Sequence, residues 1–199
     1  MKKILLTLSI LILAFGCKGD PKTNPLIMHD SGEMAPNNEF GEVPAVFQAL
    51  ETKPEYNNFL KLVNMANMFE EIMALDNVTI FAPVQADVNS ILNNELDGLS
   101  SAERQEKLRN IVNYHIVEGI IRGPVLKANV FPAVQEVYRL KTNQGAYISM
   151  VKEEGEIVIT DELMNKAIVI KLDIEANNGV IHNIKSILKP QDDNSVKAE

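Results

Sequence analysis

The chemistry available to this chain is limited to three histidines, one cysteine and 27 acidic residues spread over 199 positions. His115 lies in an apolar stretch and His182 in an alternating one, the settings of packed histidines bonded to backbone. Together they would supply two ligands of a metal site but still lack a third. His29 stands in a polar segment with no second ligand nearby and reads as a solvated histidine. Asp173, Glu175 and Asn177 alternate, so in a strand they would share one face, in the faint likeness of calcium ligands. A calcium loop of the EF-hand type needs glycine directly after its third ligand and glutamate six residues later, where Asn178 and Ile184 stand. The chain has no Gly-x-Ser-x-Gly elbow, no His-Glu-x-x-His pair and no phosphate-cradling glycine loop. No catalytic residue is assigned, and neither metal nor cofactor is expected. The lone Cys17 excludes an intrachain disulfide and calls for another role.

The composition is that of a globular protein, 46% hydrophobic and 23% charged. A formal charge of −8 argues against nucleic acid, which needs a net basic face. Apolar content concentrates at the N-terminus. Met1-Lys2-Lys3 precedes an apolar run from Ile4 to Phe15, too short to span a bilayer, and Ala14-Phe15-Gly16-Cys17 follows. A basic start, a short apolar core and small residues before a cysteine resemble a bacterial lipoprotein signal. Ala14 stands where leucine is usual. The resemblance implies that residues 1–16 are removed and that Cys17 is acylated. Several acyl chains, at about 0.8 kcal/mol per buried methylene, would hold the protein at a membrane. Losing Lys2 and Lys3 makes the mature chain still more acidic, so the lipid alone would provide attachment. Lys18 follows the cysteine where an acidic residue would signal inner-membrane retention, which favours the outer membrane. Residues 17–43 read as a flexible tether broken by Pro21, Pro25, Gly32, Pro36 and Gly41. Its Lys18-Gly19-Asp20 matches a tripeptide recognised by some integrins and is read as chance.

The elements that would position His115 and His182 come next. Apolar steps of three and four over Tyr56–Leu75 predict a helix, with Asn64 and Asn67 breaking it in two. Met65, Met68 and Met73 on it are read as core rather than as a pliable binding groove. Val78–Ala82 reads as a strand ended by Pro83, and a short helix is predicted over Gln85–Leu92. Ser100-Ser101-Ala102-Glu103 is a capping box opening a helix to about Val112, after which Tyr114–Val117 looks extended. Strands are predicted at Val134–Leu140, Ala146–Val151, Ile157–Thr160, Ala167–Glu175 and Val180–Leu188. Turns are expected at Asn143–Gly145, Glu153–Gly155 and Asn177–Gly179, with Asn178-Gly179 favouring a type I′ turn. Helices first and strands later imply an α+β domain with an antiparallel sheet.

Three segments resemble boxes of the fasciclin (FAS1) domain, in order and spacing. They are Thr79-Ile80-Phe81-Ala82-Pro83, the stretch from Leu108 through Tyr114-His115-Ile116-Val117-Glu118-Gly119, and Asp173 through His182 to Leu188-Lys189-Pro190. Val84-Gln85, Val88 and Glu118 depart from the family's usual Thr-Asn, large aromatic and proline. After the lipoprotein-like signal at 1–16 and the tether at 17–43, the resemblance implies one FAS1 domain at 44–190, with a polar tail left at 191–199. It implies a β-wedge or sandwich of antiparallel strands under a helical layer. It also implies a non-enzymatic module for adhesion or for binding a surface protein or extracellular glycan. Tyr114 and His115 match a segment implicated in adhesion in some animal members, while the apolar Ile111, Val112, Ile116 and Val117 around them fit packing under the sheet. The candidate patches are the loop Gly119–Pro132 and the hairpin tips at Asn143–Gly145 and Glu153–Gly155. Two other functions stay open. A hydrolase of cell-wall or matrix polymers would need two close carboxylates in a pocket. A small-ligand carrier would need an apolar cavity between helices and sheet.

Overall fold

The structure, a computed structural model, describes residues 45–132 and 137–191. The signal, Cys17, the tether and all but the first residue of the polar tail lie outside the described residues. Within them the expected α+β wedge is present, but its sheet is mixed rather than antiparallel throughout. A helical layer comprises α1 (Val46–Glu51), α2 (Asn57–Met65), α3 (Phe69–Met73), α4 (Val88–Ser90) and α5 (Ser101–Tyr114), and α6 (Gly123–Val130) lies apart from it. The strands are β1 (Val78–Pro83), β2 (Ile116–Glu118), β3 (Tyr138–Lys141), β4 (Tyr147–Glu153), β5 (Glu156–Thr160), β6 (Lys166–Ala176) and β7 (Gly179–Ile184). They form one seven-stranded sheet in the order β2-β1-β7-β6-β5-β4-β3. Neighbours run antiparallel except β1 and β7, the first and last boxes of the resemblance, which pair in parallel with Val78 beside Gly179.

All six residues of β1 and all six of β7 are buried. Both strands are covered on both faces, and their polar members Thr79, His182 and Asn183 are buried with hydrogen-bond partners. Ile80 and Ile181 pack into a core under α1, α2, α3 and α5. Phe81 and Ile184 point into a second core with Ile148, Met150, Ile159 and Leu126. The second core exists because the sheet curls back on itself. The Asn143 N–H donates to Ile116 O at 2.8 Å, joining the β3–β4 turn to β2 at the far end of the strand order.

Local signals account for most element ends. At α5 the Ser100 Oγ accepts the Glu103 N–H at 3.3 Å, and Glu103 Oε2 accepts the Ser100 N–H at 2.8 Å, so both halves of the capping box form. The hydrogen bond from Ser100 lowers the Glu103 carboxyl below its usual range. Asn67, at φ 54°, separates α2 from α3 as expected. The helix expected from Gln85 starts later, at Val88, because Asp87 is the residue whose side chain accepts the Ser90 N–H at 3.0 Å. It continues into a wider π-helical turn over Ile91–Glu95.

Two loop and turn expectations need correction. The Gly119–Pro132 loop contains α6, which Gly123-Pro124 opens. The type I′ turn is not at Asn178-Gly179, since neither residue has positive φ and the two-residue turn is Asn177-Asn178, with Ala176 opposite Gly179. Positive φ at both central residues occurs instead at Glu154 (51°) and Gly155 (89°), between Glu153 and its partner Glu156. Glutamate is costly there, whereas asparagine tolerates the left-handed region. Glu154→Asn is therefore expected to raise stability by about 0.5–1 kcal/mol. The urea midpoint measures this, and an unchanged or lower midpoint would refute it.

Candidate functional site

α5 ends in the core, and its last residue and C-cap are the Tyr-His segment. Tyr114 belongs to the helix rather than to the extended stretch predicted for it, and both side chains are fully buried. The Tyr114 hydroxyl donates to Tyr147 O at 2.9 Å and accepts the Glu162 N–H at 3.2 Å. Burial pushes this phenol well above its ordinary range. His115 Nδ1–H donates to Ile111 O at 2.8 Å, one turn back, and its Nε2 accepts the Leu188 N–H at 3.0 Å. This pairing requires the neutral ring. Burial away from water pushes its pKa down to about 4.

His182 is the same device on β7. Its Nδ1 accepts the Asp173 N–H at 3.1 Å, and its Nε2–H donates to Ile121 O at 2.7 Å. Burial again favours the neutral ring, against opposing pulls from its hydrogen bond to Ile121 O and from the Asp173 and Glu175 carboxylates. The two histidines do not converge. His115 packs beside the Phe59 ring and His182 beside Phe81, each bonded to backbone on both nitrogens. Among the described residues no cluster of three or more His, Cys, Asp or Glu is placed to hold a metal ion.

The acidic trio is likewise dispersed. Two register shifts in β6 leave Asp173 at φ 58°, where its Oδ1 accepts the Gly123 N–H at 2.7 Å at the start of α6. Glu175 pairs with Arg122 at 3.2 Å on the surface. Asn177 sits in the β6–β7 turn. Sequence reasoning missed Asp161, a buried carboxylate after β5. It accepts the Leu163 and Asn165 N–H groups, the Asn165 amide and the Lys189 N–H, all within 3.0 Å. Its only local signal is an Asp at a strand end, where its side chain can accept the N–H two residues on in an Asx turn. Asp161, Tyr114 and His115 thus bind the segment after β7 to α5 and to the β5–β6 turn.

The open surface is elsewhere. Met68 is core, but Met65 and Met73 are partly exposed, so the expected core stripe is only partly internal. Met65 lines a groove with Leu92, Leu96 and Leu108. Glu153, Glu154 and Glu156 border a second groove, where Glu153 pairs with Lys166 at 2.7 Å. A third groove of about 870 Å³ runs between β2 and β3 and carries Glu118, Arg139, Lys141 and Tyr147. The space between helices and sheet is filled by Phe59, Leu62, Ile72 and Ile111, all essentially inaccessible. No helix among the described residues is long and apolar enough to cross a membrane.

The chain matches the fasciclin domain family over residues 54–190. It is 28% identical to periostin of Homo sapiens over 74% of its length, which is 16% of that protein. It is 27% identical to protein sll1483 of Synechocystis over 68% of this chain and 67% of the other. It is 24% identical to transforming growth factor-beta-induced protein ig-h3 of Sus scrofa, over 73% of this chain and 19% of that protein. The chain therefore spans under a fifth of the two animal relatives. Among solved structures it resembles a FAS1 domain pair from the insect cell adhesion molecule Fasciclin I. The TM-score is 0.48 and the identity 25%, over 65% of this chain and 43% of that one.

Proposed function

The chain belongs to the fasciclin domain family, and from that premise we propose that it is a non-enzymatic binding module of the cell envelope. Its domain engages a surface protein or an extracellular glycan. A lipid on Cys17 anchors it after export across the inner membrane, at the outer membrane where there are two.

One observation carries the binding reading: the best-placed reactive side chains are already committed to the fold. Tyr114, His115, His182 and Asp161 each have their polar atoms hydrogen-bonded to backbone, in every case including backbone from another part of the chain. A general acid or base needs a face open to substrate, and these have none. What the fold offers outward is hairpin tips, strand edges and open grooves, the usual sites of recognition on a rigid scaffold. Tyr114 and His115 then serve recognition indirectly, by fixing the chain around Tyr147 and Glu162.

The test is a pull-down from intact envelopes with the lipidated protein. A saturable protein or glycan partner is expected, and recovery of bulk lipid alone would overturn the binding reading. Attachment is tested separately. Cys17→Ala is expected to move the protein from the membrane fraction to the soluble fraction, and a variant still wholly membrane-bound would refute lipidation.

A further inference from the structure

The groove between β2 and β3 has a feature the binding reading does not use, namely a free strand edge with two cations on it. Among the described residues β3 pairs only with β4, Arg139 facing Ser149 and Lys141 facing Tyr147. Beyond the strand, the Thr142 N–H donates to Ala146 O at 2.9 Å. Bonded and non-bonded positions alternate in an antiparallel pair. Thr142 and Leu140 therefore spend their backbone groups on β4, and the N–H and C=O of Arg139 and Lys141 point out over the groove. Leu140 faces the core while the side chains of Arg139 and Lys141 are exposed. Neither has a carboxylate within ion-pair distance among the described residues. Arg139 instead rests its guanidinium on the Tyr147 ring, 5.2 Å from the centroid, which holds it in place.

We propose that this edge takes up an extended acidic segment of a partner protein, added as an eighth strand to the sheet. This rests on the reading of the domain as a binding module and names the chemistry of the partner. Backbone pairing with Arg139 and Lys141 supplies affinity, and alternate side chains supply selectivity. In an incoming strand, one set of side chains meets the two cations and the other meets the apolar floor of Val117, Ile121 and Leu140. The charge is local and opposite in sign to the chain's −8, so it selects rather than merely attracts. A second copy is disfavoured, because antiparallel pairing of two β3 edges would set Arg and Lys against each other. Glu118 on the opposite bank repels an acidic strand from β2 and leaves it to β3. The Asn143–Ile116 hydrogen bond closes one end of the groove and limits the segment that fits.

The experiment uses the full chain and two labelled six-residue peptides, one alternating glutamate and valine, the other lysine and valine. Fluorescence anisotropy is expected to show saturable binding of the acidic peptide, at least about tenfold tighter than the basic one and weakened by salt. Backbone amides of Arg139 and Lys141 are expected to exchange about tenfold more slowly when it is bound. The double variant Arg139→Glu, Lys141→Glu alters exposed side chains only, and should keep its melting temperature while losing about tenfold or more in affinity. The proposal is overturned by equal binding of both peptides, by no binding, by an unaffected variant, or by binding without amide protection. The binding-module reading fails independently, by the absence of any macromolecule in the envelope pull-down even when the peptide binds.

Discussion

Gly179→Ala is expected to lower the melting temperature by about 6–12 °C, the largest loss from a single methyl group in this domain. The reason is the parallel pairing of β7 with β1. A Cβ on Gly179 would lie 2.3 Å from Val78 O, 2.8 Å from Val78 Cγ1 and 3.0 Å from Val46 Cγ1. Two of these neighbours are side-chain methyls of fully packed residues, and the nearest is backbone in the adjacent strand, so none has room to withdraw. The pairing must open or β7 must shift. Shifting β7 would also disturb Asn178, whose Oδ1 accepts the Val46 N–H at 2.8 Å and whose amide donates to Leu75 O at 2.6 Å. Overpacking typically costs about 1–3 kcal/mol, and contacts this short with packed neighbours put this one at the upper end, about 3 kcal/mol. A thermal melt within a degree or two of wild type would show that the contact relaxes, and the account of this junction would fall. The φ at Gly179 is not in the left-handed region, so the requirement for glycine there is close approach rather than turn geometry.

That residue marks the boundary between what was legible in the sequence and what was not. Asn178-Gly179 looks like a hairpin turn because local chemistry is all that a dipeptide displays. Its use is set by β1, about a hundred residues earlier, and by a parallel pairing that no local pattern announces. The Ser100–Glu103 box was legible because both partners lie within one turn. The break at Asn67 was legible because asparagine tolerates the left-handed region it adopts there. α6 was hidden because it is short and its buried residues, Gly123, Leu126 and Val130, are few. The third groove was hidden for a different reason. Arg139, Lys141 and Glu118 are ordinary surface charges in sequence, and they share a groove only because the sheet curls until β2 and β3 face each other. The apolar setting of His115 could be read from its neighbours, but its bond to Leu188, 73 residues on, could not.

Between pH 7.5 and 5 the domain is expected to lose about 2 kcal/mol of stability through His115 alone. The sign follows from the hydrogen bonds. The ring is neutral in the fold, because Nε2 must accept the Leu188 N–H, and protonation would set two N–H groups against each other at a fully buried position. Its pKa therefore falls from 6.5 in the unfolded chain to about 4 in the folded one. Within that window the unfolded chain binds the proton and the folded one does not, so acid favours unfolding. The stabilisation is complete above about pH 6.5 and is lost as the pH falls toward 4, by about 3 kcal/mol in total at some 1.4 kcal/mol per unit. His182, lowered by burial too, acts in the same direction. Carboxylates also titrate in acid, so a variant must isolate the ring. His115→Gln keeps an acceptor for Leu188 and cannot titrate. It is expected to be less stable than wild type at pH 7.5 but to lose about 2 kcal/mol less on going to pH 5, as measured by urea unfolding at each pH. Parallel pH dependence in the two proteins would mean that His115 is not the sensitive group. If the variant is flatter, the histidine of the Tyr-His segment is a neutral staple between α5 and the chain after β7.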